Sequence, residues 1–190
     1  MIPKDKMKPG YLIFWKVTKK SGLASKLVGA LSKKIPNCND KYSHVGMVDR
    51  HTGFIIHARP PRVIQEPMTP EFWERNKKCD LELWRVKNGD DNLIIDGELM
   101  LRREHAVNFY WKHNFPKERY NSKGLRVGRG YDFKAIFTFA LGENRRRSHC
   151  AESVYNAYRS AAVVLNTMGI FDRVVSPQEI LASGKLERVC

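Results

Sequence analysis

The feature that most constrains the fold of this chain is a pair of β-prone segments joined by a turn signal. Residues 42–48 (YSHVGMV) and 54–58 (FIIHA) are rich in β-branched and aromatic side chains, and the RHTG segment at 50–53 between them is typical of a turn. The pattern predicts an antiparallel hairpin. With residues 50–53 as its loop, Gly46 lies opposite His57.

The predicted hairpin carries one histidine on each strand. Opposed residues share a face and side chains alternate along a strand, so His44 and His57 project from the same face as diagonal neighbours, with Cα atoms about 7–8 Å apart. A two-residue loop preserves this parity, whereas a three-residue loop destroys it. A single histidine in a strand is usually a core residue whose ring nitrogens are satisfied. Two that share a face favour a functional pair, in which one ring orients the other.

Cys150 lies at the predicted start of a helix that spans about residues 149–165. The positive end of the helix dipole and the upstream arginines favour the thiolate, so the sequence predicts that the pKa of Cys150 falls from about 8.5 into a range of roughly 3.5–7.5. A small buried cysteine on a core helix is the alternative interpretation. The upstream arginines are Arg145, Arg146 and Arg147, which are either a solvated loop or an anion-recognition element.

The other patterns predict a mixture of strands and helices in one domain that spans residues 1–190. Strands joined by hairpins and interrupted by helices favour the α+β class. A basic amphipathic helix is expected either to pack on the core or to dock on a membrane. Further strands are predicted at 11–17 and 80–86, this amphipathic helix at 21–34, other helices at 69–73, 96–113, 132–141 and from Ser176, and a long mobile loop at 114–130.

The chain carries a formal net charge of +14, with 34 Lys and Arg against 20 Asp and Glu. This excess favours contact with a polyanion such as nucleic acid, anionic lipid or a wall polymer, although no nucleic-acid motif is present. No run approaches the roughly 18 apolar residues of a membrane span. The first residues lack the pattern of a signal peptide, so we expect a chain that is cytoplasmic as synthesised.

The four cysteines have no paired spacing that would indicate a disulfide framework, which favours a reducing compartment. One group of residues with side chains that can bind zinc is close together in the sequence: Cys38, His44, His51 and His57. Its intervals do not match the usual paired spacing of zinc ligands. We therefore expect no metal.

Several segments together resemble the circularly permuted branch of the NlpC-type papain-like hydrolases. The hairpin YSHVGMVDRHTGFIIHA and the later SHCAESVYNAY carry most of the resemblance. The amino-terminal PGYLIFWKV, the pair Tyr131-Asp132 and the ending VSPQEILASGKLERV fit the same pattern. The specificity comes from the order of strand histidine, second polar residue and helix cysteine, because in papain the cysteine precedes the histidine.

The resemblance implies an enzyme, with Cys150 as nucleophile, His44 as general base and later acid, and His57 as the residue that orients His44. It implies that Tyr131 helps to bind the oxyanion or the substrate. The implied fold is a permuted papain-like domain, in which an antiparallel sheet packs against the helix that carries Cys150. Acyl transfer to water by this set needs no metal or organic cofactor.

The resemblance implies amide bonds of peptidoglycan-type peptides as the first substrate class. The alternative is hydrolysis or transfer of acyl groups of lipids, since lecithin–retinol acyltransferase relatives share a histidine–histidine–cysteine set. The sequence departs from the family where Tyr11 replaces an aspartate and where His149 replaces an aromatic residue. These departures concern substrate preference. A phage or exported-effector context would fit a wall substrate. A rival hypothesis from a different functional class is that the chain is a basic binding module for nucleic acid or membrane and has no catalytic activity.

Overall fold

The computed structural model describes residues 2–23, 25–26, 41–51, 53–87, 92–95, 98–131, 147–165 and 176–190. Within these residues the chain forms ten strands, four α-helices and a short 3-10 turn at Lys4–Lys6. The strands are β1 (Leu12–Lys16), β2 (Tyr42–Val48), β3 (Phe54–Arg59), β4 (Arg62–Pro67), β5 (Asp80–Val86), β6 (Asn92–Ile95), β7 (Glu98–Leu101), β8 (Val127–Tyr131), β9 (Arg147–Ser148) and β10 (Leu186–Arg188). The helices are α1 (Pro70–Asn76), α2 (Arg102–Asn114), α3 (Cys150–Ser160) and α4 (Pro177–Ala182).

One sheet of eight strands organises the described part of the chain, in the order β10-β5-β1-β2-β3-β4-β8-β9. Neighbouring strands run antiparallel except for the short strand β9, which is parallel to β8. Strands β6 and β7 form a separate antiparallel pair. The structure is thus of the predicted α+β class, with its strands joined mainly by hairpins.

Side-chain alternation along β1 separates two faces of the sheet. Leu12 and Phe14 belong to the apolar cluster that includes the buried residues of α2 and α3, and we call this side the helix face. Ile13 and Trp15 belong to the second cluster, which includes Phe72 of α1, and we call this side the Trp15 face. The strands at the centre of the sheet are therefore covered on both sides.

Helix α3 packs on the helix face through an apolar stripe at helical spacing. Val154, Ala157 and Tyr158 are fully buried, and the Tyr158 hydroxyl donates a hydrogen bond to the Gly10 carbonyl at 2.5 Å. Burial of a large apolar side chain contributes about 1.5–3 kcal/mol. The stripe therefore fixes the position of the helix, and with it the position of Cys150 at its first turn.

Two predicted helices differ from the observed ones. The helix predicted at 96–113 begins only at Arg102, because residues 98–101 pair with β6 as strand β7. The helix predicted at 149–165 ends at Ser160, and Ala162 then adopts a positive φ of 57°, which an α-helix does not accommodate. Tertiary pairing and a left-handed residue thus shorten elements that periodicity alone extends.

Other predicted elements are confirmed, changed or outside the described residues. Helix α4 begins after Ser176, with the predicted capping box and proline. The segment predicted as a loop at 114–130 includes most of β8 and a bridge between Tyr120 and Arg126. Most of the helix predicted at 21–34, and all of the helix predicted at 132–141, lie outside the described residues.

Candidate active site

The two histidines of the β2–β3 hairpin share a face and are hydrogen-bonded to each other. His44 Nε2 lies 2.8 Å from His57 Nδ1. The register pairs Met47 with Ile56, which is the register predicted from a four-residue loop. The predicted parity of the two histidines is therefore confirmed.

Trp15 is the apolar wall against which both imidazoles pack. It lies opposite His44 on β1, and its indole meets the His44 ring edge-on at 4.7 Å between centroids. The same indole stacks on the His57 ring at 5.7 Å with an interplanar angle of 11°. Its Nε1–H donates to Asn76 Oδ1 at 2.8 Å, which fixes the indole against α1. Both histidines thus point to the Trp15 face.

Gly46 leaves the space that His57 occupies. A Cβ atom on Gly46 would lie 2.9 Å from His57 Cβ and 2.7 Å from Ile55 Cδ1. Both distances are below van der Waals contact, so a side chain here would push the two strands apart. The absence of a side chain on Gly46 is what permits the close approach of the histidines.

We expect Gly46→Ala to lower the free energy of unfolding by about 1–3 kcal/mol, because overpacking forces a backbone or rotamer shift. Chemical denaturation of the purified variant measures the loss. The matched control is Gly22→Ala, where an added Cβ meets nothing within 4 Å. Equal stability of the two variants would contradict the close approach.

Glu66 on β4 is a third polar residue on the Trp15 face, and the sequence analysis did not identify it. Its Oε2 lies 3.3 Å from His57 Nε2, and its Oε1 lies 2.7 Å from Arg75 Nη2 and 3.7 Å from Arg59 Nη1. The residue is buried, with only 4% of its surface exposed. His44, His57 and Glu66 therefore form a continuous row across β2, β3 and β4.

The pKa values of both histidines lie below the ordinary value. Burial is the main cause for His44, whose pKa falls well below 6.5, and the neighbouring His57 and Arg59 lower it further. Burial also lowers the pKa of His57, although the Glu66 carboxylate opposes this shift. Both rings are therefore neutral near pH 7, and one nitrogen of each carries a proton.

Glu66 is ionised beside these neutral rings. Burial alone would raise the pKa of its carboxyl group, but His57 and Arg75 outweigh burial, so the net pKa lies below the ordinary value. The carboxylate is thus held as a permanent hydrogen-bond acceptor next to His57.

Cys150 is the first residue of α3, and His149 caps the helix. His149 Nδ1 accepts a hydrogen bond from the Glu152 N–H at 3.3 Å, and the Glu152 carboxylate lies 3.5 Å from the His149 N–H. This arrangement is a capping box with histidine in the place of the usual serine or threonine. His149 therefore serves to start the helix.

The Cys150 thiol lies in a pocket of backbone N–H groups. The N–H groups of Val45, Ala151 and Cys150 itself lower the pKa of the thiol. The last two are free N–H groups of the first helical turn, which have no carbonyl partner within the helix. The thiol therefore has nearby donors for negative charge.

The Val45 N–H lies at the point where β2 and β3 separate. The Val48 N–H donates to the carbonyl of Tyr11, the residue before β1, at 2.7 Å. Because N–H groups alternate between the two neighbours of a strand, the Val45 N–H points toward β3. The paired part of β2 and β3 is only Met47–Val48 with Ile55–Ile56. The Val45 N–H thus faces the gap between the strands, where the thiol approaches it.

Burial nevertheless dominates the ionisation of Cys150. Only 6% of the residue is exposed, and desolvation raises the pKa of its thiol to about 11 in spite of the three N–H groups. The sequence-based prediction of a lowered pKa is therefore wrong for this structure. The helix dipole was identified correctly, but the cost of burying the thiolate is larger than the dipole can offset.

Alkylation of Cys150 by iodoacetamide should rise about tenfold per pH unit from pH 7 to pH 9 without a plateau, because a thiol of pKa about 11 is mostly protonated there. Peptide mass spectrometry separates Cys150 from Cys79 and Cys190. In guanidinium chloride the alkylation rate of the same thiol should level off once the pH exceeds its ordinary pKa of about 8.5. A plateau below pH 8 in the folded protein would contradict the raised pKa.

Cys150 and His44 approach the same strand from opposite sides. Cys150 belongs to the cluster of Val45 and Met47 on the helix face, whereas the His44 ring lies on the Trp15 face. Among the described residues, His44 Nδ1 makes no hydrogen bond, and no contact joins it to the thiol. The structure therefore brings His44 to His57 but not to Cys150.

The remaining predicted residues are described in part. The backbone of Tyr131 pairs with Ser148 in the parallel β8–β9 ladder, two residues before Cys150, while its side chain lies outside the described part. Arg145 and Arg146 lie outside it too, and Arg147 is described only as backbone in β9. Their predicted roles stay predictions. No group of three or more His, Cys, Asp or Glu residues in the described ranges is arranged to hold a metal ion.

Comparison with known proteins finds no matching family model and no matching curated protein. In the part of the chain that the structure describes, no helix has both the length and the apolar character needed to cross a membrane.

Proposed function

We propose that this protein is a cysteine-nucleophile hydrolase of the permuted papain-like type, in which Cys150 attacks a carbonyl carbon and His44 moves the proton. The observation that carries the proposal is the His44–His57 hydrogen bond beside the gap into which the Cys150 thiol points. A nucleophile, a base and a group that orients the base are the parts that covalent catalysis by a thiol requires.

The chemistry starts from a neutral thiol and a neutral imidazole. His44 Nδ1 takes the proton of the thiol as the sulfur bonds to the carbonyl carbon, and the tetrahedral oxyanion forms. The N–H of Cys150, at the free helix start, is the natural donor to that oxyanion. His44 then gives the proton to the leaving nitrogen, and the C–N bond breaks. Water, deprotonated by His44, hydrolyses the thioester and restores the thiol.

The proposal requires one rearrangement. His44 Nδ1 has to reach the Cys150 thiol, and in the resting structure the two approach β2 from opposite faces. The thiol already contacts the N–H of Val45, the residue after His44. The movement that would join them is a backbone shift at the open end of the hairpin, because a side-chain rotamer change alone keeps His44 on the Trp15 face. The shift has to preserve the His44–His57 hydrogen bond. Catalytic hydrogen bonds are often long or unformed before substrate binds.

Charge supports an anionic substrate. A cleft beside β8 is lined by four cationic residues, and none of its lining residues in the described part is acidic. The four are Arg62, Lys117, Arg119 and Arg129. Strand β8 leads through its parallel neighbour β9 to Cys150. The resemblance described above suggests peptide amides of wall polymers as the first proposed substrate class and acyl groups of lipids as the second, and the basic cleft suits anionic members of either class.

A screen of both substrate classes tests the proposal. Purified protein is incubated with peptidoglycan fragments or with vesicles of anionic phospholipid, and the products are identified by mass spectrometry. We expect release of a free carboxyl group from one class, together with an acyl adduct on the Cys150 peptide. Turnover that persists in Cys150→Ser, or turnover without any adduct on Cys150 under rapid quenching, would overturn the assignment.

A basic binding module without catalysis is the second candidate. The basic cleft and the raised pKa of Cys150 favour it, because a protonated buried thiol is also what a structural cysteine looks like. Tight, salt-sensitive binding of the vesicles or of nucleic acid, with no product from any substrate, would favour this alternative.

A further inference from the structure

We propose that Glu66 is a positioning residue, which sets the tautomers of His57 and His44 so that the unprotonated nitrogen of His44 is Nδ1. This inference rests on the proposed function, since it concerns the base of the proposed reaction. It assigns a role to a residue outside the cysteine–histidine–histidine set.

The ionised Glu66 carboxylate can only accept hydrogen bonds. Glu66 Oε2 lies 3.3 Å from His57 Nε2, and neither of these buried atoms has a well-aligned hydrogen-bond partner among the residues that the structure describes. A carboxylate oxygen this close to a ring nitrogen is attracted when Nε2 carries the proton and repelled when Nε2 carries a lone pair. A neutral imidazole has one N–H, which leaves His57 Nδ1 as an acceptor. The group 2.8 Å away, His44 Nε2, must then be the donor.

The tautomer of His44 follows from the tautomer of His57. Because His44 is neutral and carries its proton on Nε2, its Nδ1 keeps a free lone pair. A base that accepts a thiol proton needs that lone pair. Glu66 therefore acts on the reaction through two rings, without contact with the substrate.

The surroundings keep Glu66 in this role. Arg75 from α1 lies 2.7 Å from Oε1 and Arg59 lies 3.7 Å from it, so both guanidinium groups address the oxygen that does not face His57. Oε2 is thereby left to the imidazole. A carboxylate that served only to pair with the arginines would not need to be buried next to a histidine row.

Glu66→Gln gives a sharp test because Arg75 can only donate hydrogen bonds. The new amide should turn its oxygen to Arg75 and its NH₂ group to His57, which forces His57 Nε2 to accept. Both rings then switch tautomer, and His44 Nδ1 becomes protonated. We expect ¹⁵N NMR of the histidine side chains to show protonated Nε2 on His44 in the wild type and protonated Nδ1 in the variant.

A second substitution separates the tautomer effect from simple damage. In Glu66→Gln combined with Arg75→Met, the nearer guanidinium group is gone. Of the two guanidinium groups, only that of Arg59, 3.7 Å from Glu66 Oε1 in the wild type, still attracts the amide oxygen away from His57, so the wild-type tautomers should largely return. Hydrolysis should fall on the order of 10²–10⁴-fold in the single variant and recover in part in the double variant. Melting temperatures check that each variant is folded.

The spectra test the inference about Glu66, and the rates test the proposed function separately. A wild-type spectrum with the proton on His44 Nδ1 would overturn the inference, and that measurement needs no variant to fold. Unchanged tautomers in folded Glu66→Gln, or an inverted pattern that persists in the double variant, would also overturn it. Switching tautomers in a protein that hydrolyses nothing would instead leave Glu66 assigned and refute the proposed function.

Discussion

Cys150→Ala should remove hydrolysis almost entirely, lowering kcat on the order of 10⁴–10⁶-fold. The reason is that covalent catalysis ends with the loss of the sulfur, whereas the proposed binding of substrate in the basic cleft does not use the sulfur. KM should therefore change little. Steady-state rates on the substrate found by the screen measure both quantities.

The control for this variant is Cys79→Ala. Cys79 is half-buried beside Ser21 on the Trp15 face, with its sulfur 3.4 Å from the Ser21 hydroxyl, and it lies outside the proposed site. It should keep the wild-type rate. If Cys150→Ala remained folded and fully active, or if Cys79→Ala lost the same activity, the nucleophile would be misassigned.

Local sequence patterns were sufficient for the hairpin because its register depends on loop length alone. Once four residues are taken as the loop, every later pairing follows, including the shared face of His44 and His57. The β3–β4 hairpin was not predicted, although Pro60 and Pro61 separate two apolar runs. Prolines weaken a strand assignment, and here they occupy the turn between Arg59 and Arg62, where no ladder hydrogen bond is lost.

Glu66 could not be assigned without that second hairpin. Its position next to His57 depends on two consecutive registers, one across β2 and β3 and one across β3 and β4. Its arginine partner Arg75 comes from α1, which packs there through tertiary contacts. The signal that was available is the pairing of a glutamate with Ile55 across a turn of two prolines, which puts a carboxylate on the histidine face.

The ionisation of Cys150 was also beyond the sequence, for a different reason. Helix position and nearby charges can be located in a sequence, and both argue for a thiolate. Desolvation depends on what covers the thiol, and that follows from how α3 packs on β2. In this structure the covered thiol has a pKa of about 11, so burial decides the sign of the shift.

The two histidines should respond differently to substitution. His44→Ala should lower kcat on the order of 10²–10⁴-fold, since it removes the base, and His44→Gln should be no better because a carboxamide cannot take a proton. His57→Gln should keep more activity than His57→Ala. A glutamine at this position can accept the His44 Nε2–H through its oxygen and direct its NH₂ group at the Glu66 carboxylate, which keeps the His44 hydrogen bond and the polar contact with Glu66 that the neutral His57 ring makes.

Stability must be separated from rate before this comparison is interpreted. His57 is 3% exposed and stacks on Trp15, so His57→Ala leaves a cavity and removes the polar group that faces Glu66 Oε2. Melting temperatures set the conditions under which each variant is folded, and rates are then compared there. Full activity of folded His57→Ala would show that His44 needs no orienting partner. Equal losses in the glutamine and alanine variants of His57 would show that its hydrogen bonds do not carry its contribution. Either result would contradict the row from Glu66 through His57 to His44.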